Sequence, residues 1–87
     1  MSGVITWREL CRKEVICVSD GARLGYFCDL EAAEGSGIII AFYLPDVKVF
    51  SFSKKKKIRV CREWIERIGE DIVLVRRYER IDGECKK

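Results

Sequence analysis

There is no histidine in this chain, and proline occurs once, at Pro45. Without histidine a cysteine lacks its usual activating base, so covalent catalysis through a thiol is not expected. No C-x-x-C pair occurs among Cys11, Cys17, Cys28, Cys61 and Cys85, and their long, irregular gaps match neither a tetrahedral metal site nor a disulfide framework. The cysteines therefore read as small strand and core hydrophobes, with Cys85 a surface thiol, in a protein that folds reduced. Long apolar runs are missing too. The longest, Ile38 to Leu44, has seven residues, against the roughly 20 that a helix needs to cross a bilayer. Nor does the N-terminus offer a basic stretch followed by an apolar one, so neither a membrane span nor a targeting leader is expected, and a reducing cytoplasm is the expected location. Gly35-Ser36-Gly37 lacks the longer glycine pattern, the lysine and the helix of a phosphate cradle.

What the chain does contain is enough apolar material for one core. Of its 87 residues 48% are hydrophobic, and a chain this short buries only about 60–65% of its unfolded surface, which favours surface function over a deep catalytic cavity. Seventeen basic and 14 acidic side chains leave a net charge of +3. The balance conceals a concentration: Lys54, Lys55, Lys56, Lys57, Arg59 and Arg62 lie within nine residues, and Arg76, Arg77 and Arg80 form a second group.

Hydrophobic period and turn chemistry place the elements. Thr6-Trp7-Arg8-Glu9 has the spacing of a capping box and predicts a short helical turn over Trp7 to Cys11. Val15 to Val18 is a β-branched strand ended by Asp20-Gly21, a pair suited to the positive φ angles of a hairpin turn. From Leu24 to Glu31 apolar residues alternate as in a half-buried strand, with Phe27 out of phase. A turn at Glu34 to Gly37 leads to a central strand, Ile38 to Leu44, which Pro45-Asp46 ends. Val47 to Phe52 reads as a strand with a bulge near Phe50. Lys54 to Lys57 reads as a solvated turn, and Ile58 and Val60 resume alternation. Trp64, Ile65 and Ile68 are spaced as on a helical turn, stopped by Gly69. Ile72 to Val75 is a last strand, and residues 76–87 a charged tail that is frayed or partly helical. About six short strands with closely spaced turns predict an all-β barrel with a helical turn near each end.

Leu10-Cys11-Arg12-Lys13-Glu14-Val15, Asp20-Gly21-Ala22-Arg23-Leu24-Gly25 and Asp29-Leu30 together resemble the opening hairpin of PRC-barrel domains. Gly37 to Pro45 resembles that family's third strand, and Ile65 to Val75 its closing segment. The resemblance covers Leu10 to Val75 and is nearest to the YlmC/YmxH-like proteins of spore-forming bacteria. It implies a lead-in at 1–9, a barrel at 10–75 with Ile65, Ile68 and Val73 in its core, a tail at 76–87, and an adaptor-like role in a sporulation setting.

The expected function is a non-enzymatic protein-interaction module. It has no catalytic, cofactor-binding or metal-binding residues, and its partner surface is Lys54, Lys55, Lys56, Lys57, Arg59 and Arg62. The partner is an unidentified macromolecule, a protein before an RNA. One alternative is an RNA- or ribosome-associated factor using the same basic turn, with Phe50 and Phe52 beside it. The other is a homo-oligomer paired through a barrel edge. Asp20, Asp29, Glu31 and Glu34 read as turn and hairpin residues and not as a carboxylate site.

Overall fold

A computed structural model describes residues 3–46 and 56–82. The chain runs α1 (Trp7–Cys11), β1 (Glu14–Cys17), β2 (Arg23–Gly25), β3 (Asp29–Ala32), β4 (Ile39–Pro45), β5 (Lys56–Cys61), a single 3-10 turn (Arg62–Trp64), β6 (Ile65–Ile68), β7 (Ile72–Val75) and β8 (Glu79–Asp82). The protein is mostly β. Where about six strands were expected, the described residues form eight, in two four-stranded sheets ordered β2-β1-β7-β6 and β3-β4-β5-β8.

Side-chain alternation explains how the two sheets share one core. On the first, Val15 and Cys17 of β1 and Val73 and Val75 of β7 are fully buried. The two strands run parallel in the register Val15↔Val73 and Cys17↔Val75. On the second, Leu44 of β4 and Ile58 and Val60 of β5 point inward, and Phe42 joins them. Leu10 of α1 enters the same cluster, and Trp7 stacks on Phe42 at 6.1 Å between ring centroids. α1 starts where Thr6 Oγ1 accepts the Glu9 N–H at 3.1 Å and Glu9 Oε1 accepts the Thr6 N–H at 3.0 Å.

The run from Leu24 to Glu31 is two strands in different sheets, and Phe27 is the reason. Phe27 is 3% exposed whereas Tyr26 is 51% exposed, so the buried face changes sides at that residue and the chain turns a corner. Gly25 has φ +110°, a backbone that residues with a Cβ rarely adopt, and it closes β2 just before the bend. Beyond the corner the Cys28 N–H donates to Tyr43 O at 2.8 Å and starts the β3–β4 ladder. At the first hairpin only Gly21 takes a positive φ, of 71°. Asp20 serves the turn differently, its carboxylate accepting the Ala22 N–H at 3.0 Å.

Five further expectations are corrected. Lys56 and Lys57 belong to strand β5 and not to a solvated turn. Ile65 to Ile68 is strand β6, preceded by the 3-10 turn, and not a helical turn. Ile68 is 41% exposed and is not a core plug. The β6–β7 register shifts between Ile65 and Arg67, so Ile65 and Ile68 face Val75 and Val73. An extra residue in the strand thus gives a three-residue apolar spacing that imitates a helix. Residues 79–82 of the charged tail form β8, hydrogen-bonded along β5. Finally, Cys11, Cys17 and Cys61 are free thiols but Cys28 is disulfide-bonded, contrary to a fully reduced set. An odd total does not forbid one pair, and spacing cannot reveal a pair made across the fold. The strand expected at Val47 to Phe52, with Phe50 and Phe52, lies outside the described residues.

Candidate interaction surface

The outer face of the second sheet collects the described part of the basic run. Lys57, Arg59 and Cys61 alternate with the buried Ile58 and Val60 along β5 and so project away from the core. Tyr43 lies directly opposite Arg59 on β4, and Glu79 opposite Arg59 on β8. Arg59 is thereby surrounded. Its Nε donates to Tyr43 Oη at 3.3 Å. Nη1 donates to Glu79 Oε2 at 3.1 Å and to Cys61 Sγ at 3.0 Å, and Nη2 to Glu31 Oε1 at 3.4 Å. The Tyr43 hydroxyl passes its own proton to a hydrogen bond with the same Glu31 Oε1, at 3.0 Å. Lys57 Nζ sits 4.3 Å from the centroid of the Tyr43 ring, a distance at which the ring face attracts a cation.

The titration behaviour follows from these contacts. The hydrogen bond to Tyr43 and the one to Glu79 hold the Arg59 guanidinium in its charged form and raise its pKa. Burial, and then the Glu31 carboxylate, push the Tyr43 phenol up, because a phenolate there would be poorly hydrated and would face a like charge. The result is a fixed polar platform: an aromatic ring and a guanidinium locked edge to edge, rimmed by carboxylates. Arg59 is 24% exposed and Glu31 45%.

The expected basic patch is thus placed as follows. Lys54 and Lys55 lie outside the described residues. Lys56 forms an ion pair with Asp82 at 2.8 Å, Lys57 covers Tyr43, and Arg59 is held by Glu31 and Glu79. Arg62 sits beyond the end of β5 in the 3-10 turn, 3.5 Å from Glu63. Carboxylates distant in sequence thus compensate Lys56 and Arg59, and the adjacent Glu63 compensates Arg62. Glu31 had been read only as a hairpin residue. Tyr43 went unremarked inside a continuously apolar run that offers no alternation to show which side chains face outward.

Elsewhere the described residues line shallow grooves. A groove of about 600 Å³ lies between Val4, Ile5 and Arg12 on one side and Ile68 to Asp71 on the other. A smaller one collects Cys17, Asp20, Tyr78 and Arg80, where the Tyr78 hydroxyl donates to Asp20 Oδ2 at 3.1 Å. Among the described residues no helix is long and apolar enough to cross a membrane.

Fold and surface together define a small two-sheet β protein with a polar outer platform. No protein-family model matches the chain, and no solved structure matches it. The chain is 37% identical over 70 residues to the uncharacterized protein YmxH of Bacillus subtilis (strain 168), a match that covers 77% of this chain and 82% of that protein. It belongs to the YmxH-like family.

Proposed function

We propose that the chain is a non-enzymatic protein-interaction module of the PRC-barrel type, and that its contact surface is the outer face of β4 and β5 centred on Tyr43 and Arg59. One observation carries this reading: Arg59 and Tyr43 are already immobilised in the free protein by Glu31 and Glu79. Tyr and Arg are the residue types that most often dominate binding energy at interfaces, and a side chain ordered in advance loses less entropy on binding. The platform's titratable groups are engaged with one another, which suits recognition better than proton transfer. A protein partner fits better than RNA, since carboxylates hold Lys56 and Arg59 and phosphate binding draws on uncompensated cations. The sporulation setting rests on the family resemblance. The cytoplasmic setting rests on the three free thiols, with the Cys28 disulfide pulling the other way.

Affinity capture from extracts of the source cells tests the proposal. A partner should be retained by the wild-type chain, lost with Tyr43→Ala and with Arg59→Ala, and kept by a variant with Lys54 and Lys55 changed to Glu, all variants being checked for an unchanged thermal midpoint. Capture lost only with the lysine variant would move the surface to the basic turn.

A further inference from the structure

The segment that follows β7 carries a pair of exposed cations, Arg76 and Arg77, that are held in place by neutral groups. The Arg76 N–H donates to Trp64 O at 2.8 Å, which continues the β6–β7 pairing past Val75 and sets this segment against the 3-10 turn. Both side chains then fold onto that turn. Arg76 Nη2 donates to the carbonyl oxygen of Glu63, and the Arg77 guanidinium lies over the Trp64 ring with Cζ 4.6 Å from its centroid. A carbonyl and an indole ring fix the guanidinium groups without cancelling their charge. The carboxylates nearby are engaged elsewhere. Glu63 Oε2 faces Arg62 Nη2 at 3.5 Å, and Glu79 Oε2 faces Arg59 Nη1 at 3.1 Å. Asp20, which lines the smaller groove together with Arg77, accepts from the Tyr78 hydroxyl and the Ala22 N–H. Among the described residues neither Arg76 nor Arg77 forms an ion pair.

This corner adjoins the Tyr43–Arg59 platform along both of its chain segments. The 3-10 turn begins directly after Cys61, whose Sγ accepts from Arg59, and Glu79, a carboxylate of the platform, lies just beyond Arg77 in the chain. We propose that Arg76 and Arg77 form a docking point for a short acidic segment of the partner protein, beside the contacts made by Tyr43 and Arg59. A guanidinium presents paired in-plane N–H donors that match the two oxygens of a carboxylate, and one that rests by its face on an aromatic ring keeps those donors available. Because both groups are positioned before the partner arrives, less side-chain entropy is lost on binding. A nucleic-acid backbone fits less well. Its affinity comes from neutralising many phosphates at once, and here it would run on from the arginines to the carboxylates of Glu63 and Glu79. The inference rests on the reading of the chain as an interaction module and adds the chemistry of the partner.

The test uses the full chain and three fluorescent probes, hexaglutamate, hexaglutamine and the oligonucleotide hexa-adenylate, with binding read by anisotropy. Hexaglutamate should bind the wild type and weaken with added salt, and hexaglutamine should not bind. Changing Arg76→Gln together with Arg77→Gln should weaken hexaglutamate about fivefold or more, whereas Arg8→Gln with Arg12→Gln, which removes the same charge from exposed positions at α1, should cost less than about twofold. In the wild type, hexaglutamate should shift the NMR signals of the Arg76 and Arg77 guanidinium N–H groups and the Trp64 indole ahead of those of Arg8 and Arg12, a measurement that stands even if the double variant fails to fold. The proposal is overturned if hexaglutamate does not bind, if the two double variants lose affinity equally, or if the shifts spread evenly over the exposed arginines. It is also overturned if hexa-adenylate binds through the same arginines more tightly than hexaglutamate, since phosphate would then be the ligand. A partner whose capture depends on Tyr43 and Arg59 but not on Arg76 and Arg77 would defeat only the docking point, whereas absence of any captured partner would defeat the interaction reading and the docking point with it.

Discussion

Replacing Phe27 by Ala should be among the most damaging single changes, and replacing its neighbour Tyr26 by Ala should be nearly silent. Phe27 is 3% exposed at the corner between the sheets and stacks on Phe42 with centroids 4.8 Å apart and planes inclined by 26°. Removing a buried phenyl ring costs about 3–5 kcal/mol through lost transfer energy and the cavity left behind. Tyr26 is 51% exposed, where truncation usually stays within about 0.5 kcal/mol. A domain of this length has roughly 4–13 kcal/mol of total stability, so Phe27→Ala removes a large share of it. With a urea slope of about 1 kcal/mol per molar, the midpoint should fall by about 3–5 M, while Tyr26→Ala should leave it within about 0.5 M. A double-mutant cycle of Phe27→Ala with Phe42→Ala should show a coupling of about 1 kcal/mol from the stacked pair. Equal losses at the two positions, or the reverse order, would refute the inversion of the buried face at the corner.

Gly21→Val should lower the urea midpoint by the equivalent of about 1 kcal/mol or more, since φ is +71° there and no neighbouring atom lies within 4 Å of a new Cβ, so that the cost is backbone strain and not a clash; an unchanged midpoint would show that the turn can re-form without glycine. The Glu9 carboxyl, lowered from its ordinary value of 4.5 chiefly by the Thr6 N–H, should titrate by NMR below that value. A depressed folded pKa means that its stabilisation is present above the ordinary value and fades as pH falls through the folded one, so wild type and Glu9→Gln should converge in stability on acidification below 4.5, and divergence would refute the capping role.

The parts of the fold that were legible in the sequence are those where burial sets the pattern. Val15 to Val18, Ile38 to Leu44 and Ile72 to Val75 announce β1, β4 and β7 because their β-branched and aromatic residues suit a pleated strand with one face in the core. Phe27 was visible as a phase error, but a phase error alone does not tell a bulge from a corner between sheets. β8 has no alternation to read, because Glu79, Arg80 and Asp82 are recruited by Arg59, Asp46 and Lys56 and not by the core. The site was half legible for the same reason. A run of like charges is local and easily seen, whereas the carboxylates that neutralise it arrive from Glu31 and Glu79 on other strands.

The parallel pairing of β1 with β7 carries a consequence for how the chain reaches its native state. Val15, Cys17, Val73 and Val75 are four of the largest fully buried side chains, yet the strands that bear them are separated by nearly sixty residues. That seam can close only after a long loop has been ordered, and contacts of such high sequence separation slow folding. During synthesis β1 must wait with one edge unpaired until β7 has been made, a period in which that edge is exposed to wrong partners and to chaperones. A fragment that stops short of Ile72 would keep the opening hairpin and lose the strand that pairs along the β1 edge.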